Sequence, residues 1–200
     1  MKIAKKDLKQ STLYKSLRNT MIRSNGVLLF ITPVFWLLFW YVNIIFIFPA
    51  VYFTYRLIRD LIKGFDITVR SLCELDEDEF AILQKQALDD QNRTMFGTVT
   101  DQGLIVQGSF IPYNSIYDLN YQPKKWRWDA LLMGIGPLSS PATLCITYAI
   151  EVPSGLKMNK KLKNLPTNRD ISSEIEEFSS LITSRSKNKI SVHNEYHFVK

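Results

Sequence analysis

The chain has 200 residues, of which 46% are hydrophobic, and its formal net charge is +6. This length accommodates one membrane segment and one small domain, but not several large domains. Cys73 and Cys145 are far apart and form no CxxC motif, which excludes a disulfide framework and a cysteine zinc site.

The excess basic charge flanks a single apolar segment. Residues 1–25 carry a net charge of +6, residues 56–65 carry +2, and residues 66–200 carry −2. A pI near 9.2 is common in nucleic-acid-binding proteins. Basic residues beside a membrane span, however, set its orientation and contact anionic headgroups. We therefore predict the lipid bilayer as a partner and no nucleic acid.

Residues 1–25 are predicted to form a basic cytoplasmic or interfacial N-terminal segment. Its apolar residues fall loosely at helical spacing among the cations. Two interpretations remain open, namely an amphipathic helix on the membrane surface and a partly ordered tail that only sets the topology.

The central apolar segment contains no Asp, Glu, Lys, Arg or His between Gly26 and Tyr55. A run of this length is typical of membrane-spanning structure. We predict a transmembrane hairpin over 26–63, with helices at about 25–40 and 44–63, because basic residues on both flanks require an even number of crossings. Pro33 and Pro49 are expected to interrupt the helices. The alternative is a single kinked span.

Six residues are predicted to lie at the membrane interface. The aromatic ones would form a belt at the far side of the bilayer, and the arginines would extend towards the headgroups. They are Arg23, Trp36, Trp40, Tyr41, Arg56 and Arg59.

Residues 66–200 are predicted to form a soluble α+β domain. Residues 67–75 are expected to be a short strand or linker, and a helix should begin at Asp76 with Glu79 as its capping partner. Alternating residues predict strands at 95–100, 104–110, 116–121, 143–152 and 155–162.

The end of the chain contains a further helix and strand. Asp170 is expected to cap the helix, and its apolar stripe consists of Ile171, Ile175, Phe178 and Ile182. Alternation over 190–198 predicts a C-terminal strand.

The pattern Thr98-x-Thr-Asp-x-Gly103-Leu104-x-Val106, followed by Ile111-Pro112-Tyr113-x-Ser115-Ile116, resembles bacterial membrane-anchored PH-like domains of the YcxB-like type. The resemblance covers about residues 95–185. It implies a small antiparallel barrel or sandwich closed by a helix, in a class that usually binds partners or membranes. The segment 121–142 and the strand after the closing helix depart from this pattern.

The segment Tyr121–Pro141 combines cations, indoles and apolar residues. Tryptophan and basic side chains together suit the headgroup layer, whereas packing of the indoles into the domain is the alternative. The predicted membrane or partner contacts are Lys124, Lys125, Trp126, Arg127, Trp128, Leu131, Leu132 and Met133.

Other polar groups give weaker signals. The acids at 74–79 are interpreted as helix-terminal charges, the His193 and His197 pair as a solvated edge, and Lys157, Lys160, Lys161 and Lys163 as a solvated strand end. No known catalytic motif is present, so we predict no catalytic residues, no metal and no cofactor.

The sequence therefore predicts an α+β membrane protein, with an N-terminal transmembrane helical hairpin followed by a small antiparallel β (PH-like) domain with flanking helices. The expected function is non-enzymatic, with the cytosolic domain of an inner-membrane protein serving as an interaction or scaffold module. The alternative is a structural subunit of a multiprotein envelope machine, such as a secretion or conjugation system. Protein partners in a membrane complex are expected, and a homo-oligomer is left open.

Overall fold

The structure is a computed structural model of the whole chain. It describes residues 2–58, 61, 64–126, 139–140, 142–149, 157–162, 165, 169–186 and 190–196. The fold is α+β, as predicted. The chain divides into one unit of residues 1–93 and 104–111 and a second unit of residues 94–103 and 112–200. These units do not coincide with the predicted segments 1–25, 26–63 and 66–200.

The first unit is mainly helical. Its helices are α1 (Lys5–Gln10), α2 (Thr12–Ser24), α3 (Gly26–Tyr41), α4 (Ile47–Leu57), α5 (Gly64–Glu74) and α6 (Glu77–Leu88). A 3-10 turn at Ile44–Phe46 precedes α4. Strands β2 (Gly103–Val106) and β3 (Ser109–Pro112) contribute their residues 104–111 to this unit.

The core of the first unit lies between α1, α2, α5, α6 and strand β3. Its buried members are Leu8, Leu13, Leu17, Val69, Leu72, Leu83, Ala87 and Phe110. The N-terminal segment therefore buries Leu8, Leu13 and Leu17 in protein, although Ile22 is 40% exposed. Since these side chains are covered, they are not the surface that an amphipathic helix would present to lipid.

Helix α5 replaces the strand or linker predicted at 67–75. Ile67, Thr68 and Val69 are β-branched and suggested a strand. The helix instead buries Val69 and Leu72, and Asp66 and Arg70 pair across one turn at 2.8 Å. Helix α6 begins as predicted, with a capping box between Asp76 and Glu79.

The turn between β2 and β3 corrects a second prediction. Residues 104–110 were expected to form one strand, but the chain reverses at Gln107 and Gly108. Both residues have positive φ, at 50° and 79°, as tight hairpin turns require. Glutamine is not a usual residue for this conformation, so the turn was not predicted.

The second unit contains a four-stranded sheet and one long helix. The sheet consists of β4 (Ile116–Gln122), β7 (Thr143–Ala149), β8 (Lys157–Leu162) and β9 (Ser191–Asn194), in the order β8-β7-β4-β9. The short strands are β1 (Thr98–Val99), β5 (Lys125–Trp126) and β6 (Ser139–Ser140). Helix α7 spans Ser172–Arg185.

The sheet is mixed, whereas an antiparallel one was predicted. Strand β7 pairs antiparallel with β4 and β8, but β9 runs parallel to β4. Parallel neighbours need a crossover connection, and here four strands (β5 to β8) and α7 lie between β4 and β9 in the chain. The C-terminal strand itself is present, at Ser191–Asn194.

Helix α7 closes the core of the second unit as the sequence predicted. Ile171, Ile175, Phe178 and Ile182 are each at most 1% exposed. The ring of Phe178 lies 4.9 Å from that of Phe96, which in turn contacts Tyr121 edge to face at 5.8 Å. Asp170 accepts a hydrogen bond from the Ser172 amide at the helix start, at 3.0 Å.

Candidate functional site

The chain folds back between α3 and α4, so that the two helices pack as an antiparallel pair. This pair is here called the apolar hairpin (residues 26–57). The aromatic rings of Phe35 and Phe53 stack at 5.1 Å with an interplanar angle of 20°. Ala50 is fully buried, and such a small residue lets two helices approach closely. The two helices therefore have a packed interface of their own.

Two threonines and one indole satisfy polar groups inside this hairpin. The Trp36 indole N–H donates to the Thr54 hydroxyl oxygen at 2.9 Å, and Thr54 donates to the Ala50 carbonyl at 2.8 Å. Thr32 donates to the Leu28 carbonyl at 2.7 Å. Because these polar atoms are paired within the hairpin, they do not need water as a hydrogen-bond partner.

The hairpin turns at Val42 and Asn43. The Asn43 side chain accepts from the Ile45 amide at 2.9 Å and so caps the following 3-10 turn. The prolines do not make the break. Pro33 lies inside the continuous helix α3, and Pro49 is the third residue of α4, where a missing N–H is tolerated.

The outward side chains of the hairpin are large, apolar and solvent-exposed in the structure. Exposure reaches 72% at Phe30, 57% at Leu37, 76% at Phe48 and 53% at Val51. At the turn it is 75% for Trp40 and 84% for Tyr41. Isolated exposed apolar residues are ordinary, but a continuous surface of this kind marks a contact site for lipid or protein.

No single helix among the described residues is both long and apolar enough to span a bilayer. Helices α2 and α3, bent by 50° with respect to each other, satisfy the length and composition requirement only as a pair.

The predicted interface residues are spread along the hairpin. Trp40 and Tyr41 lie together at the turn, while Trp36 lies along α3 and uses its N–H within the hairpin. Arg56 is half-buried near the end of α4, with its guanidinium 6.0 Å from the centroid of the Tyr52 ring. Arg23 is exposed at the end of α2. Arg59 lies outside the described residues.

The predicted Trp-rich contact is described only at its start. Lys124 is exposed, and Lys125 and Trp126 form β5, which pairs with Ser139 and Ser140 of β6. The remaining predicted contacts, Arg127, Trp128, Leu131, Leu132 and Met133, lie outside the described residues.

The buried tyrosines of the second unit act as structural anchors. Burial raises the pKa of Tyr121 to about 12, with an opposing hydrogen bond from Ser179 at 3.2 Å. Burial likewise raises the pKa of Tyr113, whose hydroxyl donates to the Thr100 carbonyl at 2.7 Å. Both phenols stay neutral near pH 7 and hold neighbouring chain segments in place.

The described His and acidic side chains of the second unit are not assembled into a metal centre. Within the described part of the chain, no three His, Cys, Asp or Glu side chains are placed to hold a metal ion. The His193 imidazole lies 3.5 Å from Asp118, on strands β9 and β4. His197 lies outside the described residues.

Sequence reasoning missed the contacts that hold the hairpin together. Thr54 and Ala50 are the important residues, and the available signal was a small or hydroxyl side chain within an otherwise bulky apolar run. Comparison of the chain with family models, with curated proteins and with solved structures gives no match. The exposed surface of the apolar hairpin is therefore the main indication of function.

Proposed function

We propose that the chain is an inner-membrane protein anchored by the apolar hairpin, and that it is non-enzymatic. One observation carries the proposal, namely the exposure of large apolar side chains on both helices around an internally satisfied pair. In water this surface would cost roughly 25 cal/mol for each Å² left uncovered, whereas lipid chains would cover it. Polar pairing inside and apolar residues outside is the arrangement that a bilayer favours.

Two crossings would be short ones, because both apolar helices are shorter than an average bilayer core. The 16 residues of α3 give a length of about 24 Å, against about 30 Å for an average hydrocarbon core. The second helix, Ile44–Leu57 with its 3-10 turn, reaches only about 21 Å. A mismatch of this size is accommodated by local thinning of the bilayer and by extended basic side chains at the helix ends. Arg23 and Arg56 are suitably placed near the hairpin base, and Trp40 and Tyr41 suit the far interface.

Both ends of the hairpin are then cytoplasmic, and the second unit is a cytosolic PH-like module for partner binding. Its support is the edge of the mixed sheet. Among the strands that the structure describes, β9 lies at the edge of the sheet, and all four of its residues are exposed. Natural proteins normally protect such edges, and an incoming partner strand is one way of covering them.

We expect a cysteine at the hairpin turn to be labelled from outside the cell. In a chain carrying Cys73→Ser and Cys145→Ser, Val42→Cys should react with a membrane-impermeant maleimide in intact spheroplasts. Leu88→Cys, 49% exposed on α6, should react only after lysis. The measurement is the labelled fraction of each variant before and after permeabilisation.

Labelling of Leu88→Cys in intact spheroplasts would instead place α6 outside the cell and contradict the cytoplasmic position of both hairpin ends. Release of the full chain from membranes by alkaline carbonate would contradict the anchor altogether. Labelling tests the topology and the carbonate wash tests the anchor. Both are measured on the same preparation but give separate answers.

The second candidate function is a structural subunit of a multiprotein envelope assembly. The exposed edge strand β9 favours it, since helices of partner proteins could cover the hairpin while a partner strand covers β9. We expect such a subunit to copurify in mild detergent as a stoichiometric complex. Purification of the chain alone, or only as a homo-oligomer, would favour the independent module.

A further inference from the structure

Helices α1 and α2 present a cationic surface to solvent, here called the basic face. It consists of Lys5, Lys6, Lys9, Lys15, Arg18 and Arg23, all of which are exposed. The orientation is fixed by packing. Leu8, Leu13, Leu17 and Met21 are each at most 4% exposed because they enter the first unit, so the charged side chains must point away from it.

The charge of this face is not neutralised within the protein. In the part of the chain that the structure describes, no acidic side chain forms an ion pair with any of the six residues. Asp7 is the one acid in residues 2–25, and it lines a separate depression with Glu77 and Phe80. Lys5, Lys6 and Lys9 instead line an open depression of about 470 Å³ together with Gln10.

The basic face begins where the apolar hairpin ends. Arg23 is three residues before Gly26, the first residue of α3, and the axes of α2 and α3 differ by 50°. If the hairpin lies along the membrane normal, α2 leaves its base at about 40° to the bilayer plane. At 1.5 Å of rise per residue, Lys15 then stands only about 10 Å above the hairpin base.

A distance of about 10 Å is close to the Debye length at physiological ionic strength, so Lys15, Arg18 and Arg23 of α2 act on charge in the headgroup layer. We propose that the basic face binds the headgroups of anionic phospholipids at the cytoplasmic surface. This inference rests on the proposed membrane hairpin, and it adds the class of lipid and the residues that select it. Each cation near an anionic surface strengthens binding by about fivefold.

The test uses the full-length chain in detergent and two lipids with the same acyl chains, phosphatidylglycerol and phosphatidylcholine. Native mass spectrometry measures the affinity for each. We expect the wild-type chain to bind phosphatidylglycerol more tightly than phosphatidylcholine. The variant Lys15→Gln with Arg18→Gln should weaken phosphatidylglycerol binding by about tenfold or more and leave phosphatidylcholine binding unchanged.

The matched control is Lys85→Gln with Arg93→Gln, which removes two exposed cations from the same unit. It should change the affinity for phosphatidylglycerol by no more than about twofold. Equal binding of the two lipids by the wild-type chain would overturn the inference and leave the hairpin anchor intact. A preference that survives in the α2 variant would also overturn it. A chain that retains neither lipid and needs no detergent would overturn the proposed anchor itself.

Discussion

Replacing Leu37 and Val51 together by aspartate is expected to remove the full-length chain from the membrane fraction. Both side chains are exposed in the structure, by 57% and 53%, and they lie on opposite helices of the apolar hairpin. An aspartate near the centre of a membrane helix costs about 2.5–3.5 kcal/mol, so two cost about 6 kcal/mol. That is enough to abolish insertion of a short hairpin.

In a protein whose hairpin faces water, the same change would leave the fold almost unaffected and would make the chain more soluble. Exposed apolar-to-charged substitutions in water usually alter stability by no more than about 0.5 kcal/mol, and they improve solubility. Loss of the variant from the membrane fraction therefore indicates that lipid, and not water, surrounds the hairpin. The measurement is the fraction of the chain that sediments with membranes after a carbonate wash.

Two control variants separate insertion from general damage. Ile82→Asp with Leu88→Asp introduces the same charges at residues of α6 that are 48% and 49% exposed, and this chain should remain in the membrane fraction. Leu37→Ile with Val51→Leu keeps the hairpin apolar and should also remain there. Retention of the double aspartate variant at wild-type level would show that these two positions do not face lipid.

Sequence patterns predicted the elements in which local signals and packing agree. The hairpin turn falls at Val42 and Asn43, the polar midpoint of the apolar run, and the capping box at Asp76 fixes the start of α6. The apolar stripe of α7 is buried along its whole length. Apolar residues at this spacing share one face only if the segment is a helix, and that face then packs on the core. In these cases the neighbouring residues determine the structure.

The errors arose where distant contacts decide. The β-branched run Ile67–Val69 is helical because Val69 and Leu72 enter a core built with residues from α1, α2 and β3. The direction of β9 depends on the path of the chain through α7, which no local pattern contains. At the candidate site, the apolar surface was predictable from composition, but the pairing of Trp36 with Thr54 depends on how two helices face each other.

The turn at Gly108 supplies the other large effect, and it concerns the integrity of the first unit. Gly108→Ala is expected to destabilise this unit by about 3 kcal/mol, from two additive causes. A φ of +79° is unfavourable for any residue with a Cβ. The added Cβ would also lie 2.5 Å from the Leu17 carbonyl oxygen and 2.6 Å from the Met21 amide nitrogen, both on the backbone of α2.

Backbone atoms inside a helix cannot move aside as a flexible side chain can, so relief requires a shift of α2 or of the β2–β3 turn. Either movement would disturb the packing of Leu17 and Met21, which are 4% and 2% exposed. The same movement would displace the basic face of α2 relative to the hairpin base. Loss of lipid selectivity in Gly108→Ala would therefore accompany loss of stability.

The control is Gly26→Ala, because a Cβ at Gly26 meets no atom within 4 Å and the residue begins helix α3. Alanine is the better helix former by about 1 kcal/mol, so this variant should be neutral or slightly more stable. Thermal unfolding of both full-length variants in the same detergent gives the comparison. Equal unfolding temperatures for Gly108→Ala and the wild-type chain would mean that the turn does not rest against α2, and the assignment of the core between α2 and β3 would then fail.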